Sequence, residues 1–119
     1  MKPIYFHHPR CSKSREALSL LQEAGIDLEI REYLKHPPTA QELREVCDKL
    51  GVSPSMVVRR KEEVFSKLRL SEKKLSDDEW CQVISEHPVL LERPILVTAK
   101  KAAIGRPPEN VLRIIKPNS

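Results

Sequence analysis

The spacing of apolar residues changes character at Cys11, and that change limits the folds open to the chain. Upstream, Pro3-Ile4-Tyr5-Phe6 is a short apolar, partly aromatic run suited to a buried strand, and a polar loop begins at His7. Downstream, Ala17, Leu18, Leu20, Leu21 and Ala24 recur at three- and four-residue intervals, which lays one apolar stripe along a helix starting near Ser12. Gly25 stands where a left-handed residue ends such a helix. Leu28 and Ile30 then alternate with Glu29 and Arg31, the pattern of a second strand, which a right-handed crossover returns parallel to the first. The chain therefore opens as a βαβ unit, with Cys11 in the turn that feeds its helix.

His36-Pro37-Pro38 closes that unit. Thr39-Ala40-Gln41-Glu42 is a capping box, in which a threonine hydroxyl meets an orphan amide and a glutamate three residues on reaches back. The helix it starts runs to about Leu50 with the stripe Leu43, Val46, Cys47 and Leu50, and Gly51 supplies the stop. Ser53-Pro54 opens a short helix, and Ser76-Asp77-Asp78-Glu79 repeats the box before Trp80, Val83 and Ile84. After Arg93-Pro94, the runs Ile95-Leu96-Val97-Thr98 and Ala102-Ala103-Ile104-Gly105 flank Ala99-Lys100-Lys101 as a hairpin. Pro107-Pro108 leads into a last helix through Val111, Leu112, Ile114 and Ile115. The order is βα, β, helical insert, ββ, α, expected to form a single domain over residues 1–119.

Composition narrows the function classes. With 39% hydrophobic and 32% charged residues the chain is neither disordered nor a membrane protein, and runs such as Val89-Leu90-Leu91 are too short to span a bilayer. Polar residues follow the first strand before any stretch long enough for a signal peptide, so a cytoplasmic location is expected. A net charge of +4, with basic residues interspersed among acids and only 4% aromatics, speaks against nucleic-acid binding and suits a small anionic substrate. Cys11, Cys47 and Cys81 cannot all pair within the chain and lack the spacing of a metal knuckle, so they are expected as thiols, with no metal or bound cofactor.

The three cysteines have different surroundings. Cys47 lies in an apolar helical stripe and Cys81 beside Trp80, which suits structural roles. Cys11 enters a helix whose orphan amides and positive dipole end favour an anion, with Lys13 and Arg15 after it and His7, His8 and Arg10 before it. Its thiol is expected to ionise more readily than a free cysteine and to serve as a nucleophile. Position 14 is serine, so no CxxC pair exists to resolve an adduct locally, and an external thiol is the route that needs no rearrangement of the fold.

The stretch His7-His8-Pro9-Arg10-Cys11-Ser12-Lys13-Ser14-Arg15 resembles the H-[NH]-P-x-C-x-x-S-R signature of the glutaredoxin-linked arsenate reductase family. Tyr33-Leu34-Lys35-His36-Pro37, Glu92-Arg93-Pro94-Ile95 and Ile104-Gly105-Arg106-Pro107 resemble three further segments of that family in the same order. His8 stands where asparagine is commoner and Arg10 where a smaller residue is, which marks a distinct HxPRCSKSR branch.

The resemblance implies an α/β, thioredoxin-like (glutaredoxin-like) fold, a mixed four-stranded sheet flanked by helices, with a helical insertion between strands 2 and 3. It implies reduction of arsenate to arsenite by a Cys11 thiolate, with glutathione as co-substrate, glutaredoxin as partner and the protein acting as a monomer. His7 is implied as an aid to the thiolate, Ser14 and Arg15 as substrate-binding residues of the loop at Cys11, and Arg59, Arg93 and Arg106 as the arginines around the oxyanion, with Arg60 the alternative to Arg59. In this fold the proline facing the cysteine is cis, which is expected of the bond Arg93–Pro94. Two other readings compete: an Spx-like regulator that binds RNA polymerase, from which Ser14 removes the CxxC sensor, and a thioredoxin-fold module glutathionylated at Cys11 that acts on another substrate.

Overall fold

The computed structural model describes residues 2–115. They pack as two compact units, one from residues 2–36 with 93–115 and one from Pro37–Glu92. The first unit holds the expected mixed four-stranded sheet, in the order β2-β1-β3-β4. Strand β1 (Ile4–His7) pairs parallel with β2 (Glu29–Glu32) and antiparallel with β3 (Ile95–Val97), which continues through a hairpin into β4 (Ala102–Ile104). Helix α1 (Ser12–Glu23) supplies the right-handed crossover between β1 and β2.

Helix α1 ends as its sequence requires. Gly25 takes φ +74°, its amide donates to the Gln22 carbonyl at 3.0 Å, and the Ile26 amide donates to the Leu21 carbonyl at 3.1 Å. The apolar stripe turns inward, so that Tyr5, Ala17, Leu21, Leu96 and Val111 form one fully buried core, each large side chain contributing about 2 kcal/mol. Val111 comes from the last helix, which winds as a 3-10 helix over Pro108–Ile114 and packs on α1 and β4. Strand β2 differs from its sequence pattern. It starts at Glu29, lies at the sheet edge, and leaves Ile30 46% exposed, because an edge strand has a neighbour on one side only.

Gly105 fixes the geometry where the hairpin leaves the sheet. Its amide donates to the Pro94 carbonyl at 2.8 Å, and a Cβ there would lie 2.7 Å from Pro94 Cγ and 3.2 Å from Val111 Cγ1. Neither a proline ring nor a core valine can swing away. Gly105→Ala is expected to destabilise the fold by about 1–3 kcal/mol, seen as a lower urea midpoint at unchanged slope. An unaltered midpoint would contradict this packing. The bond Arg93–Pro94 is cis, as expected, and Arg106–Pro107 is also cis.

The second unit is the helical insertion. Helix α2 (Ala40–Leu50) begins in a complete capping box, with the Glu42 amide donating to Thr39 Oγ1 and the Thr39 amide to Glu42 Oε1, and it stops at left-handed Gly51. A short α3 (Glu63–Lys67) follows, then α4 (Asp77–Glu86), whose Ser76 and Glu79 repeat the box. Helices α2 and α4 pack together and bury Leu43, Val46, Cys47, Trp80, Cys81 and Ile84. The 3-10 turns Pro54–Val57 and Leu70–Glu72 link these helices, and a third, Pro88–Leu90, follows α4. Among the described residues no helix is long and apolar enough to cross a membrane.

Candidate active site

Cys11 is the N-cap of α1, with extended backbone angles (φ −91°, ψ 123°). Its amide donates to the His8 carbonyl and its carbonyl accepts from Arg15, both at 3.0 Å, so the loop closes in the same turn that starts the helix. The side chain is partly exposed. Burial pushes the thiol pKa up, but the Ser14 amide, the Arg93 guanidinium and the Lys13 amide together outweigh it and hold the thiol below its ordinary value. The sequence expectation of an activated Cys11 thus has a physical source in the first turn of α1 and in one arginine from the segment before β3.

Ser14 is the hinge pin of this arrangement. Its side chain is fully buried, where Oγ accepts the His8 amide at 2.9 Å and shares a 2.7 Å hydrogen bond with His7 Nδ1. Its carbonyl accepts the Tyr5 hydroxyl. Three contacts from β1 and the loop therefore set the direction of the Ser14 amide, which faces the sulfur. Tyr5 is itself fully buried, and desolvation pushes its pKa up to about 12, so it remains a donor at any working pH.

His7 lies on the buried side of β1, and burial holds its imidazole below the usual histidine value against the opposing pull of Glu32. It is therefore neutral at pH 7, and its influence on the sulfur runs through Ser14 rather than through positive charge. Arg15 is exposed and donates from Nη1 to the Pro9 carbonyl at 3.0 Å, which ties down the loop before Cys11.

Two of the sequence-indicated arginines gather at the sulfur. Arg93 acts directly on the Cys11 thiolate. Arg106 places Nη2 4.0 Å from Cys11 Sγ while its Nε donates to the Arg93 carbonyl at 2.8 Å, so the two are linked by a hydrogen bond. Arg59 belongs to the helical unit, where Nη1 pairs with Glu92 at 3.1 Å and Nε lies 3.8 Å from Glu62. Its neighbour Arg60 is exposed and lies over the Phe65 ring at 5.4 Å.

A cleft of about 670 Å³ opens at the sulfur, lined by Cys11, His8, Arg10, Glu32, Leu34 and Arg93 among others. Among the described residues no cluster of histidine, cysteine or acidic side chains could hold a metal ion. The other two thiols behave as the sequence indicated. Burial pushes Cys47 up to about 12 and raises Cys81 also, which makes both poor nucleophiles. Sequence reasoning missed Tyr5, Gly105 and the wall formed by the turn after β2. An apolar β1 run conceals a tyrosine hydroxyl with a task, and spacing carries no sign of a glycine needed for close approach.

This arrangement can ionise a sulfur and bring forked guanidinium groups to an anion beside it. Comparison with known proteins gives it a setting. Residues 6–114 match the ArsC family. The chain is 45% identical over 111 residues to a protein of Neisseria meningitidis called "Arsenate reductase", covering 92% of this chain and 95% of that one. A Haemophilus influenzae protein of the same name is 44% identical over 116 residues, covering 97% and 100%. Among solved structures, "Arsenate reductase from Vibrio cholerae" superposes with a TM-score of 0.91 at 42% identity, covering 97% of this chain and 98% of that one.

Proposed function

This chain belongs to the ArsC family and has its thioredoxin-like fold, and on that premise we propose that it reduces arsenate to arsenite through a Cys11 thiolate adduct, using glutathione and glutaredoxin. The observation that carries the reading is Cys11, partly exposed at the first turn of α1, with its thiol pKa lowered, Arg93 acting on it and Arg106 at 4.0 Å. Relatives over nearly their whole length bear the name arsenate reductase.

In this reading the oxyanion lies at the helix N-terminus, its oxygens on the Arg93 and Arg106 guanidinium groups. Cys11 Sγ attacks arsenic, one arsenate hydroxyl takes a proton and leaves as water as its bond to arsenic breaks, and a sulfur–arsenic bond forms. A glutathione thiolate then attacks Sγ. The sulfur–arsenic bond breaks with its electron pair on arsenic, which falls from the +5 to the +3 state, while the two sulfurs are oxidised to a mixed disulfide. Glutaredoxin removes the glutathionyl group and restores the thiol. The arginines counter charge on the oxygens throughout. Ser14 and Arg15 shape the loop, His7 steadies Ser14, and Arg59 joins the oxyanion set by sequence correspondence alone. The reading includes a monomer working in the cytoplasm.

The test is arsenite formation from arsenate in the presence of glutathione and glutaredoxin. Formation that saturates with arsenate and depends on the protein is expected. Arsenite no faster than in the protein-free mixture would reject the reading.

A further inference from the structure

The cleft at Cys11 is much roomier than one tetrahedral oxyanion requires. At about 670 Å³ this open cleft has the volume of sites that take a drug-sized molecule. Its lining includes Arg10, Glu32, Leu34 and Lys35, none of which is among the groups that shift the Cys11 thiol.

The end of β2 and the turn after it, which together carry three of these residues, are firmly built. The amides of Lys35 and His36 both donate to the Glu32 carbonyl, at 3.0 and 2.9 Å, and buried Tyr33 meets the His8 ring edge-on. Lys35 Nζ lies 3.6 Å from Glu32 Oε1, and Leu34 presents an apolar surface 38% exposed. The wall therefore offers a cation, an anion, a second cation and an apolar patch beside a nucleophilic sulfur.

We propose that this wall seats the thiol reductant, a tripeptide carrying two carboxylates and one ammonium, as glutathione does. Its carboxylates meet Arg10 and Lys35, its ammonium meets Glu32, and its body lies on Leu34 with the sulfur turned to Cys11. The identity of the reductant rests on the function proposed above, and the residues that hold it are the added claim. Charge complementarity favours this occupant over a small neutral thiol, which would leave the Glu32–Lys35 pair as it stands.

The seat can be tested without arsenate, by thiol–disulfide exchange. The Cys11 thiolate attacks one sulfur of glutathione disulfide, a new disulfide to Cys11 forms as the old one breaks, and the second glutathione leaves as a thiolate that takes a proton from solvent. The rate is compared with that for uncharged 2-hydroxyethyl disulfide, which reports the reactivity of the sulfur alone. Both mutated side chains are exposed, and Lys101→Ala on the hairpin turn serves as control. Arg10→Ala combined with Lys35→Ala is expected to slow exchange with glutathione disulfide about tenfold, leaving the uncharged disulfide within about twofold. In the arsenate assay the same variant should raise KM for glutathione and leave KM for arsenate in place. No change, or an equal fall with both disulfides, would overturn the seat. Charge-dependent exchange in a protein that forms no arsenite would uphold the seat and reject the reductase reading.

Discussion

Cys11→Ser is expected to reduce arsenate-dependent arsenite formation to the protein-free rate, the largest effect of any single substitution. Serine keeps the N-cap and its backbone bonds, so α1 still starts at Ser12 and the fold is retained. What is lost is the nucleophile. A hydroxyl in this loop stays protonated at neutral pH, and the dipole and guanidinium that suffice to ionise a thiol cannot ionise an alcohol. Neither remaining thiol can substitute, since Cys47 and Cys81 are buried and pushed toward the protonated form. Full activity in Cys11→Ser, with the folded spectrum intact, would remove Cys11 from the chemistry.

Arg93→Ala comes next, with an expected loss of about 10²–10³ in kcat. Two effects combine. The oxyanion loses a forked donor, and the thiolate loses both a hydrogen bond and a nearby positive charge. The second effect has a sign that can be read separately: removing Arg93 raises the Cys11 pKa, so the rise of kcat/KM with pH should move to higher pH than in the wild type. Arg93→Lys keeps the charge without the fork and should recover the pH profile better than the rate. Arg106→Ala should also lose activity, because Arg106 approaches the sulfur and is anchored on the Arg93 carbonyl. Arg69→Ala, an exposed arginine of the helical unit, is the control. Equal losses at residues 69, 93 and 106 would reject an oxyanion pocket at this sulfur.

Much of this frame was legible because it is local. The break in apolar period at Cys11, the two capping boxes, the left-handed glycines and the hairpin after Arg93-Pro94 are each dictated within a few residues, and each stands as expected. Three segments escaped for want of length: Glu63–Lys67, Leu70–Glu72 and Pro88–Leu90 are too short to establish a period. The exposure of Ile30 escaped because alternation identifies a strand without telling whether it lies at an edge.

The site divides in the same way. Cys11 with its helix start could be derived from spacing and charge, and the arginines came from motif resemblance. Interactions that depend on tertiary approach could not be read. His7 could aid the sulfur by positive charge or by a hydrogen bond, and only the tertiary structure distinguishes these: the strand turns it inward to Ser14, where it hydrogen-bonds and burial lowers its pKa. Arg15 looked like an anion ligand, and its Nη1 is bonded to the Pro9 carbonyl. Tyr5 read as core filler, yet its hydroxyl holds the residue whose amide faces the thiolate.

All of these expectations require a sulfur that is already charged before substrate arrives. The direct measurement is a pH titration of thiolate ultraviolet absorbance in the wild type, with Cys11→Ser as the blank, which subtracts any signal from Cys47 and Cys81, both of which burial pushes up. The account predicts a difference signal that titrates below the usual cysteine pKa of about 8.5. A midpoint at or above that value would contradict it.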